Sequence, residues 1–321
     1  MRWIWICLIF SSQVCATKVL LIESYHSGYP WDASYVKGIE QTLLPSVEFE
    51  RFEMDTKRLP PEEFKRKANE AFAVYQRFQP DIVMLGDDNA LSHMLPKLYD
   101  EPISIVFLGV NANPRALLKQ YRGKAKVTGV LERPLFVKSL GELRKIFSTP
   151  DFKVLVLFDS GVTSKIAKEY IENQYTLIRK NLGIEVEIKA IATKQSWREQ
   201  VMAAKEQGFT LIIVGLYQTL VNESGANVPA AEVIKWTSEN SQLPLFAFWD
   251  FAVGVDKAVG GVVLFGQSQG AEAATMVNQI VEHGQPLVIP IATGSKGKAI
   301  YSKSELERWG ITMPPHWQAI D

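Results

Sequence analysis

Five short apolar runs constrain this chain more than any other feature: Lys18 to Ser24, Asp81 to Asp88, Ser104 to Asn111, Val154 to Asp159 and Leu211 to Tyr217. Strands covered by helices on both faces read as continuous apolar stretches, and all-parallel sheets are built from such strands. Several of these runs end in a small or acidic polar group. In open α/β sheets the carboxyl ends of the strands open into the ligand crevice, so those polar residues are where function is to be sought.

Helical patterns fill the gaps. Val36, Ile39 and Leu43 recur at helical spacing after the first run, and a strand at Val47 to Met54 follows. Pro61-Glu62-Glu63 then opens a helix with Phe64, Ala68, Ala71, Phe72 and Tyr75 on one face. Strands at Asp81 to Gly86, Ile103 to Val110 and Val127 to Leu131, with a helix at Leu91 to Tyr99, complete one doubly wound sheet. The rhythm restarts with a strand at Phe152 to Phe158, a helix at Ser164 to Asn181, a strand at Ile184 to Ile191 and a helix with a capping box at Ser196 and Glu199. A strand at Thr210 to Leu216, a helix at Pro229 to Ser241 and a strand at Leu245 to Trp249 follow, so two similar halves stand in tandem. The tail departs from the rhythm: a strand at Gly261 to Phe265, a helix at Gln269 to Glu282 and a Pro-bounded segment at Pro286 to Pro290 read as chain passed between two lobes.

Residues 1–16 read as a secretory signal. Arg2 precedes the apolar Trp3 to Phe10, and Val14-Cys15-Ala16 supplies a small-residue cleavage site after Ala16. About ten apolar residues are too few to span a bilayer. Both cysteines, Cys7 and Cys15, fall inside that segment, so the mature chain is expected to have no disulfide and no catalytic thiol. Lys+Arg and Asp+Glu balance at 35 each, and no basic patch points to nucleic acid or a membrane surface. The expected product is a soluble, exported, periplasmic protein, with a monomer as the expected state.

Four segments carry a family resemblance: Val19 to Trp31 (VLLIESYHSGYPW), Ile105 to Pro114 (IVFLGVNANP), Gly260 to Ala274 (GGVVLFGQSQGAEAA) and Leu306 to Pro315 (LERWGITMPP). The chain resembles the extracytoplasmic solute-binding proteins of type I periplasmic-binding-protein fold, in the branch that serves ABC transporters. The resemblance implies two Rossmann-like lobes with parallel sheets, joined by a three-segment hinge with crossings near Glu132, Asp250 and Pro286. Lobe 1 would comprise 17–131 plus 251–286, and lobe 2 would comprise 132–250 plus 287–321. It also implies an ABC permease as partner. The SYHSGYPW turn is closer to domains fused to sensor kinases, which makes a membrane-bound sensor kinase or cyclase the alternative partner.

Such a fold places a small-molecule ligand between the lobes, at strand ends and helix amino termini. The first lobe offers Ser24, Tyr25, His26, Tyr29 and Trp31, then Asp87, Asp88 and Asn89, then Asn111 and Asn113. The second offers Asp159, Ser160 and Thr163, then Tyr217 and Thr219, then Trp249 and Asp250. Every charge in this set is negative apart from a histidinium, which points to an amine-bearing ligand such as an amino acid, a peptide fragment or an amino sugar. Tyr25, Trp31, Tyr217 and Trp249 add flat faces for stacking or cation–π contact. Each residue also has a structural explanation: Asp87, Asp159 and Asp250 precede helices or turns where Asp caps, and Trp249 ends an apolar run that suits the core.

An enzyme reading rests on Gly266-Gln267-Ser268-Gln269-Gly270, which follows a strand and opens a helix as a nucleophile elbow does. The triad order fits poorly, because Asp321 is the only aspartate after Ser268. Tight strand-to-helix packing explains the glycines equally well. His93, His283 and His316 show no metal spacing, and neither a phosphate-cradling Gly-Lys loop nor an HExxH helix is present. No cofactor, no metal and no catalysis are expected.

Overall fold

A computed structural model describes residues 16–283, 289–294 and 297–321. The predicted signal segment, apart from Ala16, and the predicted crossing at Pro286 lie outside the described residues. The chain is α/β, with two mostly parallel sheets.

The first sheet takes β1 (Lys18–Glu23), β2 (Glu48–Glu53), β3 (Ile82–Gly86), β4 (Ser104–Val110) and β5 (Lys126–Leu131) in the order β2-β1-β3-β4-β5. Helices α1 (Pro30–Thr42), α2 (Phe64–Phe78), α3 (Asp87–Leu98) and α4 (Arg115–Gln120) make the connections. The chain then enters the second lobe through α5 (Phe136–Ile146). There β6 (Phe152–Asp159), α6 (Val162–Glu172), α7 (Tyr175–Leu182), β7 (Ile184–Ile191), α8 (Lys194–Ala203), β8 (Leu211–Val214), α9 (Ala230–Asn240), β9 (Leu245–Ala247) and β10 (Gly260–Val263) follow. The second sheet runs β7-β6-β8-β9-β10, the same order as the first. Central strands such as β3, β4 and β8 are buried along their whole length, whereas the edge strands β2 and β7 are only partly buried, as their mixed polar composition requires.

The tail differs from the sequence expectation. The apolar run before the Gly-rich helix is expected in the first lobe, but β10 pairs in parallel with β9 and antiparallel with β12 (Lys298–Tyr301), inside the second sheet. Only after Leu264 does the chain return to the first lobe, as α10 (Gly266–His283), and β11 (Ala292–Thr293) then extends the first sheet beside β5. The chain goes back to the second lobe through β12, α11 (Lys303–Trp309) and β13 (Gln318–Ala319). The crossing near Leu264 to Gly266 therefore replaces the expected one at Asp250, which instead opens a single 3₁₀ turn, Asp250–Ala252, and the return to the second lobe comes between β11 and β12. A short apolar strand matches either sheet edge equally well; the choice is made by pairing partners distant in sequence.

Two local features also differ. The predicted helix at Ser164 to Asn181 breaks into α6 and α7, and the Gln174 side-chain amide donates to the carbonyl of Tyr170, one of those freed at the break. The cap of α8 is Thr193, whose Oγ1 accepts from the Ser196 amide at 3.2 Å, so the Ser196/Glu199 capping box does not form.

The nucleophile-elbow motif resolves into packing. A Cβ on Gly270 would stand 1.9 Å from the Tyr35 carbonyl oxygen, and one on Gly38 would stand 2.1 Å from that of Gln267. The two glycines let α10 cross α1 backbone to backbone, and Ser268 is left exposed. Of the two histidines that could have completed a triad, His283 bonds the Gln279 carbonyl and His316 bonds Glu142.

Candidate functional site

Both sheets reverse winding direction at the same place, between their first and third strands. In the first lobe this switch point carries Tyr25 after β1 and Asp87 at the start of α3; Tyr25 Oη donates to Asp87 Oδ1 at 2.7 Å. Asp87 stands at φ +75°, a conformation that Asp tolerates better than most residues. In the second lobe the switch point carries Asp159, which accepts from the amides of Gly161 and Thr219 at 3.0 Å each and from Ser164 Oγ at 2.5 Å. The two switch points touch. Tyr25 Oη and Thr163 Oγ1 lie 2.9 Å apart, and since the phenol's one proton goes to Asp87, Thr163 donates.

Behind this contact the lobes are joined by rings. Tyr25 meets Tyr29 edge-on at 5.0 Å, Tyr29 meets Phe251 at 5.7 Å, and Phe251 lies at 6.4 Å from both Tyr217 and Trp249. Beside them Glu132, on the connection from β5 to α5, accepts from Trp249 Nε1 at 2.7 Å and from Asn111 Nδ2 at 3.1 Å. Burial, reinforced by the charge of Asp87, raises the Glu132 carboxyl well above its ordinary range. Burial and neighbouring Asp88 likewise push Asp87 upward. For buried Asp32, whose Oδ2 accepts the Tyr25 amide at 3.2 Å, burial and the charge of Glu23 act in the same direction.

In front of the Tyr25–Thr163 contact a cavity of about 380 Å³ lies between the lobes. The first lobe lines it with Tyr25, Asn89 and the segment from Thr56 to Pro61 together with Phe64. The second lines it with Ser160 to Thr163, Lys165, Thr219, Val221 and Asn227. A larger hollow of about 600 Å³, lined by Phe72, Tyr75 and Glu101, sits instead at the amino ends of β3 and β4. There it faces no second lobe.

Of the seventeen residues singled out for the site, Tyr25, Asn89, Ser160, Thr163 and Thr219 line the cavity between the lobes. Ser24 holds the switch point together, donating to the Gly86 carbonyl and accepting from the Ala90 amide. Asp88 accepts from the amides of Asn111 and Ala112 and so caps the turn after β4. Trp31, expected in a polar turn, is the second residue of α1 and is buried in the core. Tyr29, Tyr217 and Trp249 belong to the ring chain, His26 is half-buried beside Tyr29, and Asp250 accepts the Phe251 amide.

The cavity also has residues absent from the sequence reading, above all Lys57, Arg58 and Lys165. After β2 the chain continues alongside the end of β1: the Met54, Asp55 and Thr56 amides donate to the carbonyls of Glu23, Tyr25 and Ser24. This sets Lys57 against Tyr25, with its ammonium 4.4 Å from the Tyr25 ring centre and 5.2 Å from that of Tyr29. The cavity wall thus carries three cations and no carboxylate. Among the described residues no cluster of His, Cys, Asp or Glu could hold a metal ion, and no helix is long and apolar enough to cross a membrane.

No protein-family model matches the sequence, and no curated protein matches it. Solved structures do. The ABC domain from Streptococcus pneumonia in complex with L-Trp superposes with a TM-score of 0.71 at 18% identity, covering 95% of this chain and 99% of that one. A conserved domain protein from Vibrio cholerae gives 0.71 at 16% identity, covering 95% and 100%. The fold is that of a type I periplasmic binding protein. The binding protein of the arabinose ABC transporter from Shewanella sp. ANA-3 has a TM-score of 0.57 at 10% identity, covering 92% of this chain and 95% of that one. Coverage of both chains over almost their full length means that the whole periplasmic-binding-protein fold is shared, both lobes and the connections between them.

Proposed function

We propose that the chain is an extracytoplasmic solute receptor that holds a small polar ligand between its lobes and presents it to an ABC importer. One observation carries this reading: the cavity in front of Tyr25 and Thr163 is walled by both lobes, at the switch points of both sheets. A ligand there touches both walls and so favours the closed arrangement by its differential affinity. The structural relatives support it, since those named above include a protein in complex with L-Trp and one bound to arabinofuranose. Export to the periplasm follows from the same reading together with the signal-like leader. A membrane-bound sensor is the alternative partner, resting on the SYHSGYPW turn, whose Tyr25 and Tyr29 stand at the interface. Deleting the partner abolishes solute accumulation in the first case and only signalling in the second.

The amine-bearing ligand expected from the strand-end acids meets no carboxylate on the cavity wall, where Lys57, Arg58 and Lys165 stand instead. A thermal-shift screen with amino acids, amines, sugars and aromatic acids tests the receptor reading. A ligand at a hundredfold excess over Kd stabilises by about 2.7 kcal/mol, without turnover. Tyr25→Ala, which removes both the bridging hydroxyl and the ring under Lys57, should abolish that gain. A stabilising ligand whose effect survives Tyr25→Ala would place the site elsewhere.

A further inference from the structure

Lys57 is nearly fully buried, at 6% exposure, and lines the cavity. Its neighbour Arg58 is held by Asp55 through two hydrogen bonds of 2.7 Å. Lys57 has no such partner: among the described residues its ammonium forms neither an ion pair nor a hydrogen bond, and its contacts are the Tyr25 and Tyr29 rings. An ammonium held over rings without a hydrogen-bond acceptor is costly, and the ring faces and the more distant carboxylates of Asp87 and Asp32 return only part of that cost. Asp87, the acid bonded to the same tyrosine, and Asp32 feel its charge, but neither comes within ion-pair distance of it. Across the cavity α6 begins at Val162; Asp159 takes the Gly161 amide and the Ser164 hydroxyl, and the Val162 and Thr163 end of the helix lines the same space. On that wall Thr219 Oγ1 is buried without a hydrogen-bond partner.

We infer that Lys57 anchors a single carboxylate of the solute, held between its ammonium and the start of α6, with the apolar or ring-bearing body of the solute against Leu59, Pro60 and Phe64. This deepens the receptor reading above and rests on it. An ammonium with no direct ion-pair partner suits one negative charge, and the apolar walls suit an organic acid or amino acid better than a multiply charged phosphate or a neutral sugar.

The test uses matched probes: 3-phenylpropanoate, 3-phenylpropanamide, 3-phenylpropylamine, phenylalanine and arabinose, each titrated calorimetrically and by thermal shift into the wild-type protein and into Lys57→Met and Lys57→Arg. The expected result is binding of at least one of the two carboxylate probes, with neither the amide nor the amine bound as well. Lys57→Met should weaken it roughly 30-fold or more, and Lys57→Arg should keep most of it. The ligand-free Tm of Lys57→Met should change little, because the ammonium makes neither an ion pair nor a hydrogen bond there; a purely structural lysine would lower it. Equal binding of the amide or amine, or carboxylate affinity untouched by Lys57→Met, overturns the inference and leaves the receptor reading standing. Binding of arabinose alone does the same, and silence across the whole panel counts against both.

Discussion

The two lobes are built on one plan and use their switch points differently. Each has strands in the order second, first, third, fourth, fifth, and each carries an aspartate at the reversal of winding. Asp159 turns inward, and its carboxylate collects two loop amides and a hydroxyl, so the second lobe's wall is a rigid, self-satisfied loop. Asp87 is bonded to Tyr25, whose oxygen reaches the other lobe, so the first lobe's wall is the one that responds to what lies between them. Equivalent positions in a repeated fold thus carry structure on one side and contact on the other, and the residue type alone does not tell which.

The contrast is broken most sharply by removing each acid. Asp159→Ala leaves the buried Ser164 hydroxyl and the partly buried Gly161 and Thr219 amides without their acceptor and should cost about 2 kcal/mol or more of unfolding free energy in urea. Asp87→Asn keeps the shape, tolerates the positive φ and removes a charge that burial disfavours. It should change stability at pH 8 by less than about 1 kcal/mol, in either direction, while weakening the coupling between Tyr25 and Thr163. Similar losses in both variants would mean that the two switch points do the same job.

A smaller effect is pH dependence. Burial raises the carboxyls of Asp32, Asp87 and Glu132, lifts Asp250 to about 6, and lifts Glu23 to about 7 even with Arg51 bonded to it. Such groups keep their protons in the folded protein to a higher pH than in the unfolded chain, so folding takes up protons. Their contribution is therefore most favourable below about 4.5, the ordinary Glu value, and is lost as pH rises through about 6 to 7. Tm should fall between pH 5 and pH 8, with a shallower slope in Asp87→Asn. A Tm that rises over that interval would contradict the assignment of these acids as buried.

Most of the scaffold was legible because central strands are uniformly apolar and their spacing leaves room for one helix each; Ile184 to Ile191 was delimited to the residue. The sheet membership of Gly260–Val263 was not legible, because its partners β9 and β12 compete with an equally apolar edge in the other lobe. At the site, Tyr25 and Thr163 could be read as strand-end residues. Lys57 was missed because it follows β2, an edge strand whose FERFE pattern lacks the apolar run used to find strand ends. The signal was present in the order of strands: β2 neighbours β1, so whatever follows β2 must stand beside Tyr25. The negative character expected of the site reflects the same omission, since the acids that were found turned out to be bonded within their own lobes or to the hinge.

Hydrogen–deuterium exchange, with and without a stabilising solute, tests the central claim most directly. The account predicts added protection in both lobes at once, confined to residues 56–64 and 87–90 on one side and 160–165 and 219–227 on the other. Protection in one lobe only, or centred on the hollow at Phe72 and Glu101, would contradict it.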